Sequence, residues 1–355
     1  MSVVRLADPS RRHARVAAEV ERRVAEVLRG GRYVGGPVVD HAERALAGVF
    51  GWALGVGVNS GTDALIYALL ALGVGPGDEV VVPAVTFFAT AGAVVRVGAT
   101  PVIADVRADL PLIDPARLPI GPRTRAIVVV HLFGEGATLG PVPVPVVDDA
   151  AQVAGADPPP RVGVIGATSF YPTKTLGAAG DGGLVLTDDA RLADAVRRLT
   201  HHGMTEPNVA ERVSGHVGGN SRLDAIQAAV LLAHLDDLPA RVAARRHHAE
   251  VYDAAFASCS GVRLVRRSRG HPVHQYLVRA ERRDALRAGL AARGVETGVY
   301  YPRSLAAQPA LAEHARATPN ADAWCAEALA LPVHECLTPS DVGYVVDAVL
   351  AEVGR

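Results

Sequence analysis

The chain has 355 residues, 49% hydrophobic and 21% charged, with a formal net charge of −1 at pH 7. That is enough apolar mass for a large core and two domains, and it leaves no global field to attract nucleic acid or an acidic membrane. No stretch approaches the roughly 18 apolar residues of a membrane span. Cys259, Cys325 and Cys336 show no CxxC spacing, and the charged N-terminus lacks an apolar signal region, so a cytoplasmic protein without a metal site or disulfide framework is expected.

In chain order, residues 12–29 read as an amphipathic helix that "GGRYVGGP" breaks, and a short helix follows at 38–50. "GVGV" (55–58) is a short strand. Asn59 or Ser60 then caps a helix that Gly73 ends. "VGPGDEVVVP" is a turn and a buried strand, "TFFATAGAVVRVG" a helix and "ATPVIADV" a strand. "TRAIVVVHL", "VPVPVVDDAA", "GATSFYP" and "GGLVLTDD" add four strands, and a helix follows at 189–200. Between the first two of these lies only "FGEGATLGPVP". Parallel neighbours ordinarily need a helical crossover, so here the crossover is expected to have shrunk to a loop. From Ser221 the texture changes to a long helix, opened by a capping box from Ser221 to Asp224 and bent at Pro239. Strands at 262–266 and 274–280, helices at 282–293, 321–329 and 339–352, and a strand "VETGVYYP" complete the reading. Short apolar strands alternating with helices predict an α/β fold, with a mostly parallel central sheet flanked by helices. The expected division is an N-terminal segment and large domain at 1–240 and a smaller C-terminal α/β domain at 241–355.

Lys174, in "SFYPTKTLGAAGDGG", is the only lysine; the other 35 of the 36 basic residues are arginine. Arginine can replace lysine as a surface charge. It cannot lose a proton and attack a carbonyl to form a Schiff base, because a guanidinium stays protonated.

Four features sit at strand ends or helix starts, where open α/β sheets bind ligands. "NSGTDAL" offers free backbone N–H groups at a helix N-terminus, a natural phosphate cradle. "VVDDAAQ" leaves Asp149 at the end of a buried strand. Ser169 precedes the lysine, and "GGN" (218–220) precedes the long helix. Each is an ordinary structural feature alone. Together they suit pyridoxal 5′-phosphate (PLP), which needs phosphate donors, an anionic partner for its ring nitrogen and an amine for its aldehyde. Phe87 or Phe88 could cover the ring, or pack in a helix core.

From "GGRYVGGPVVDHAE" to the C-terminus the sequence resembles the PLP-dependent sugar aminotransferases of the DegT/StrS type, within the aspartate-aminotransferase-like fold type I. The motifs are "GVNSGTDALIYALLALGVGPGDEVVVPAVTFFATA", "VVDDAAQVAGA", "SFYPTKTLGAAGDGG", "GGNSRLDAIQAAVL" and "GVYYP". The resemblance implies that Lys174 carries the cofactor and that Asp149, rather than Asp148, partners the pyridinium. It implies Gln152 on the phenolic-oxygen side, Gly61, Thr62 and Ser169 at the phosphate, and Phe87 stacked on the ring. Asn220 would reach the phosphate of the partner subunit in a homodimer with shared active sites. Arg222, Tyr300 and Tyr301 would meet the nucleotide sugar; many members have His-Tyr where this chain has Tyr-Tyr. Relatives that became dehydratases carry histidine in place of the lysine, and this chain keeps the lysine.

The implied reaction is transamination from an amino acid, with L-glutamate favoured, to a keto group of a dTDP- or UDP-linked deoxysugar, with the pyridoxamine form between the two halves. "GGNSRLD" favours C-3 over C-4. The alternatives are C-4 or a free cyclitol ketone, a nucleotide-binding α/β protein, and an idle PLP-binding regulator. "GVGVNSG" argues weakly for the nucleotide binder, because Ser60 stands where the third glycine of a dinucleotide loop belongs. The arginine- and alanine-rich composition suggests a GC-rich genome, and so antibiotic-sugar biosynthesis.

Overall fold

The computed structural model describes residues 3–354. Helices α1 (Pro9–Ala14), α2 (Ala17–Gly30) and α3 (Pro37–Val49) lead into β1 (Leu54–Val58), α4 (Gly61–Ala71), β2 (Glu79–Pro83), α5 (Ala89–Arg96) and β3 (Thr100–Ala104). Next come β4 (Thr124–Val130), β5 (Val146–Asp149), β6 (Ile165–Ser169), β7 (Gly183–Thr187), α6 (Ala190–Leu199) and a hairpin of β8 (Met204–Glu206) with β9 (Val209–Ala210). The chain closes with α7 (Ala225–Asp236), α8 (Leu238–Phe256), β10 (Arg263–Leu264), β11 (Tyr276–Arg279), α9 (Arg283–Ala292), α10 (Pro319–Glu327), β12 (Ala328–Leu331) and α11 (Pro339–Val353).

The central sheet has the order β1-β7-β6-β5-β4-β2-β3. Only β7 runs against its neighbours, so the sheet is mostly parallel, as expected. Both faces are buried. In β7, Val185 enters the core under α4, while Leu184 and Leu186 enter the core under α3 and α7. Burying valines as completely as Val80, Val81 and Val82 contributes about 1.5–3 kcal/mol per side chain. A second, three-stranded antiparallel sheet, β10-β11-β12, packs with α8, α9 and α11 around its own core.

The loop between β4 and β5 carries one short 3-10 turn, Leu132–Gly134, and no crossover helix, as expected. Ser60 caps α4 by accepting from Asp63 N–H, and Gly73 leaves the helix at φ +73°.

Other expectations are corrected. The 12–29 helix is broken at Arg15–Val16 into α1 and α2. Asp224 alone caps α7, by accepting from Gln227 N–H; Ser221 is drawn away to donate to Asp63 and to accept from Asn59 N–H. The bend near Pro239 is a full break, with the proline in the first turn of α8, where its missing N–H costs nothing. "VETGVYYP" makes only the isolated bridges Val4–Val295 and Gly298–Ala330. Residues 328–329, read as the end of the 321–329 helix, open β12 instead, because antiparallel pairing with β11 overrides the helix preference of Ala and Leu.

Candidate active site

The carboxyl ends of β4, β5 and β6 open into a cleft of about 720 Å³. Its lining brings together Gly61, Thr62 and Ser169, Asp149, Gln152 and Lys174, and Phe87, Tyr300 and Tyr301. Asn220 and Arg222 are not among its lining residues. Asn220 is exposed, pairs across from His201 at the base of the 201–220 segment, and accepts from Asn59 Nδ2 through its carbonyl. Arg222 Nη1 lies 3.2 Å from His201 Nδ1.

The strand period separates the two aspartates. Asp148 faces away from the cleft and accepts from Val162 N–H and Gly163 N–H, at 2.9 Å for the latter. His131 completes this arrangement. Ala137 N–H donates to its Nδ1 at 3.0 Å, which leaves the ring proton on Nε2 to meet Asp148 Oδ1 at 3.2 Å. Asp149 faces the cleft. Its Oδ1 accepts from Ala151 N–H and its Oδ2 from the Thr90 hydroxyl, both at 3.2 Å. Thr86 Oγ1 lies 2.9 Å from Thr90 Oγ1, so it can donate in turn and free the Thr90 proton for Asp149.

Burial raises the pKa of the Asp149 carboxyl, and the Lys174 cation opposes that rise most strongly. Burial lowers the Lys174 amine, against the pull of Asp149. Both groups are pushed toward their neutral forms, which for the amine is the nucleophilic form.

A phosphate fits the cleft at the start of α4. The first N–H groups of α4 have no acceptor within their own helix and concentrate positive potential there. Gly61 lies so close to β6 that a Cβ added to it would sit 2.5 Å from Ser169 Cβ. Phe87 lines the cleft together with Asp149, so an aromatic face is available to a flat ring bound there. Phe87 precedes α5 instead of joining its core, and it is 60% exposed, 6.3 Å from the Tyr301 ring centre. Gln152 Oε1 accepts from Phe133 N–H, so its NH₂ is left to donate toward the cleft. Burial raises the pKa of Tyr301, the Asp149 charge adds to the rise, and a hydrogen bond from Gln152 works against it.

The DegT/DnrJ/EryC1/StrS aminotransferase family matches residues 15–350. The chain belongs to this family. It is an aminotransferase, as expected. It is 40% identical to the dTDP-3-amino-3,4,6-trideoxy-alpha-D-glucose transaminase of Streptomyces venezuelae, over 94% of this chain and 91% of that one. It is 35% identical to the UDP-2-acetamido-2-deoxy-3-oxo-D-glucuronate aminotransferase of Pseudomonas aeruginosa, over 98% of this chain and 99% of that one. A relative named a pleiotropic regulatory protein, from Geobacillus stearothermophilus, is 37% identical over 98% of this chain and 97% of its own. Among solved structures, S. venezuelae DesV in complex with a ketimine intermediate superposes with a TM-score of 0.92 at 37% identity, covering 100% of both chains. Bacillus subtilis NtdA with bound cofactor PMP superposes with a TM-score of 0.91 at 26% identity, covering 100% of this chain and 86% of that one. The fold type I architecture is that of these aminotransferases.

Sequence reasoning missed several residues around this aminotransferase's cleft. Thr86 and Thr90 are spaced four apart at the start of α5, a pattern visible in "TFFATA" but silent without knowing that β5 ends beside it. His274 and Gln275 also line the cleft. His274 Nδ1 lies 3.2 Å from Thr175 Oγ1, and burial followed by the Lys174 charge drives its pKa well below the usual histidine range. No local signal in "HPVHQY" marks it, because the lysine is 100 residues away.

Proposed function

We propose that this chain is a PLP-dependent sugar aminotransferase that moves an amino group from L-glutamate to the C-3 keto group of a dTDP- or UDP-linked deoxysugar, as a homodimer with shared active sites. The observation that carries the reading is that Asp149 and Lys174 line one cleft together with Gly61 and Thr62 at the start of α4. When bound, PLP supplies an aldehyde for an amine and a protonated ring that draws electrons from the substrate carbon.

Lys174 Nζ would hold the cofactor, and its amine would move the proton of the amino acid's α-carbon as general base and acid. Asp149 keeps the ring-nitrogen proton in place, and the Thr86–Thr90 pair and Ala151 N–H aim its carboxylate. The N–H groups of Gly61 and Thr62, with Ser169 Oγ, bind the phosphate. Phe87 covers the ring, and the Gln152 NH₂ donates to the phenolic oxygen. Asn220 and Arg222 stand outside their own chain's cleft, which supports service in the partner's site. Tyr300 and Tyr301 contact the sugar nucleotide.

The C-3 position is supported by the names of the Streptomyces and Pseudomonas relatives, both of which specify position 3. The test is purified protein with L-glutamate and a panel of 3-keto and 4-keto nucleotide sugars and a free cyclitol ketone. Turnover is expected with a 3-keto nucleotide sugar and not with Lys174→Arg, which keeps the charge but cannot form the imine. Preferred turnover of a 4-keto sugar or a cyclitol ketone would overturn the substrate assignment. Activity retained in Lys174→Arg would overturn the lysine's role.

A further inference from the structure

Outside the cleft lining, and bonded to the main chain of the Lys174 segment, lies a buried ion cluster drawn from distant parts of the chain. The Glu335 carboxylate accepts from Arg12 Nε of α1 at 2.5 Å and from Arg245 Nε of α8 at 2.8 Å. All three residues are at most 6% exposed. Arg245 Nη2 also lies 2.7 Å from Glu335 Oε2, and the Nη1 groups of both arginines donate to main-chain carbonyls. Arg12 Nη1 donates to Pro172 O at 3.0 Å and to Lys174 O at 2.7 Å. Arg245 Nη1 donates to Val273 O at 3.2 Å and to His274 O at 3.3 Å. Nearby, Arg241 Nη1 donates to Thr175 O at 3.0 Å. The targets are the two segments that place Lys174 and His274 in the cleft.

Stability alone accounts poorly for this cluster. Taking a carboxylate and two guanidiniums out of water costs several kcal/mol per ion, and such clusters can often be replaced by apolar side chains without loss. Arg12 Nη2 has no partner among the described residues, which adds to the cost. What an apolar replacement could not supply is the set of donors on the lysine segment. Lys174 Nζ sits at the end of four rotatable bonds, so its position depends on how firmly its main chain is held. Lys174 N–H donates to Tyr171 O at 2.8 Å, and with the arginines every carbonyl from 172 to 175 except that of Thr173 is fixed.

We infer that Arg12, Glu335 and Arg245 are positioning residues for the transamination: one carboxylate aligns two guanidiniums, which fix the main chain on which Lys174 and His274 are mounted. The inference rests on the reading of Lys174 as the lysine that carries the cofactor. Arg12 comes from the first helix of the chain, so α1 serves the site without touching it.

The experiment compares the holoenzyme with Arg12→Met and Arg12→Lys. Borohydride reduction followed by peptide mapping first locates the cofactor. A wild type without label on Lys174 overturns the lysine reading, and this inference with it. With Lys174 labelled, Arg12→Met is expected to lower kcat about tenfold or more, as a small misplacement of a reacting group does. KM for the amino donor should stay within about twofold, the sign of an interaction that matters in the transition state. Induced circular dichroism of the bound cofactor should change, and amides 171–178 should exchange faster in the cofactor-free protein. Arg12→Lys, which keeps a donor for Glu335 and the carbonyls, should recover most of kcat. Where Arg12→Met does not fold, Arg12→Gln is measured in the same way. A folded variant with label on Lys174, unchanged kcat and an unchanged cofactor dichroism spectrum would overturn the inference.

Discussion

Neighbouring aspartates on β5 should fail in opposite ways when each is made an amide. In Asp148→Asn, either orientation of the new side chain turns an NH₂ toward a donor. Oδ1 now faces His131 Nε2 and Val162 N–H, and Oδ2 faces Gly163 N–H and Val162 N–H. The site is fully buried. An unsatisfied buried donor costs about 1–3 kcal/mol, and at least one is created while the remaining bonds lose their charge assistance, for a total of about 3 kcal/mol. With an unfolding entropy of about 2.1 cal/mol/K per residue over 355 residues, that lowers Tm by about 4 °C. Activity of the folded fraction should fall less than about tenfold, because Asp148 does not line the cleft. Asp149→Asn should behave in reverse. Among the described residues its buried carboxylate is supported by two hydrogen bonds and chiefly the Lys174 charge, so Tm should move by less than about 2 °C. Turnover should fall about a hundred- to a thousandfold, roughly what the loss of one preorganised electrostatic group costs. The assays are thermal unfolding of both variants and single-turnover kinetics with L-glutamate. A larger loss of turnover in Asp148→Asn than in Asp149→Asn would refute the reasoning.

Gly61→Ala should weaken PLP binding at least about tenfold with little change in Tm, since its Cβ would meet Ser169 Cβ at 2.5 Å and force the cradle open; absorbance titration of the apoenzyme checks this, and unchanged affinity would refute it. Stability should fall with acid from about pH 6.5 downward. Burial and nearby arginines push His271 down to about 3 and His234 and His334 to about 4. Because the folded pKa values lie below the unfolded one, the unfolded chain binds more protons in this window. Stability is therefore fully present above about pH 6.5 and falls by up to about 1.4 kcal/mol per pH unit per histidine down to the folded values. A Tm at pH 5.0 equal to that at pH 7.5 would contradict this. Finally, mixing inactive Lys174→Ala with inactive Asn220→Asp under subunit exchange should restore up to about half the activity per mixed dimer, because one site then carries both defects and the other neither. No recovery despite demonstrated exchange would place Asn220 outside the partner's site.

Much of the site was legible because its signals are local. Lys174 stands out as the only lysine in a chain of arginines, and its chemistry is one that arginine cannot perform. Ser60 and Gly73 bound α4, and the small residues between Ser60 and Asp63 mark a phosphate cradle without reference to any distant residue. The period of two along β5 requires Asp148 and Asp149 to face opposite ways, and the family motif indicates which one enters the cleft. What depended on the tertiary structure was contact between distant segments. The four residues 328–331 have the composition of a helix end and become β12 only because β11 offers an unpaired edge. Ser221 is positioned to cap a helix, but Asp63 and Asn59 engage its hydroxyl instead. His274 beside Thr175, Thr90 beside Asp149, and Arg12 against the Lys174 carbonyl each join segments separated by 59 to 162 residues. Local propensity and periodicity act over a few residues. A buried polar group instead takes whichever partner the packed elements bring within about 3 Å, and only the complete fold decides which partner that is.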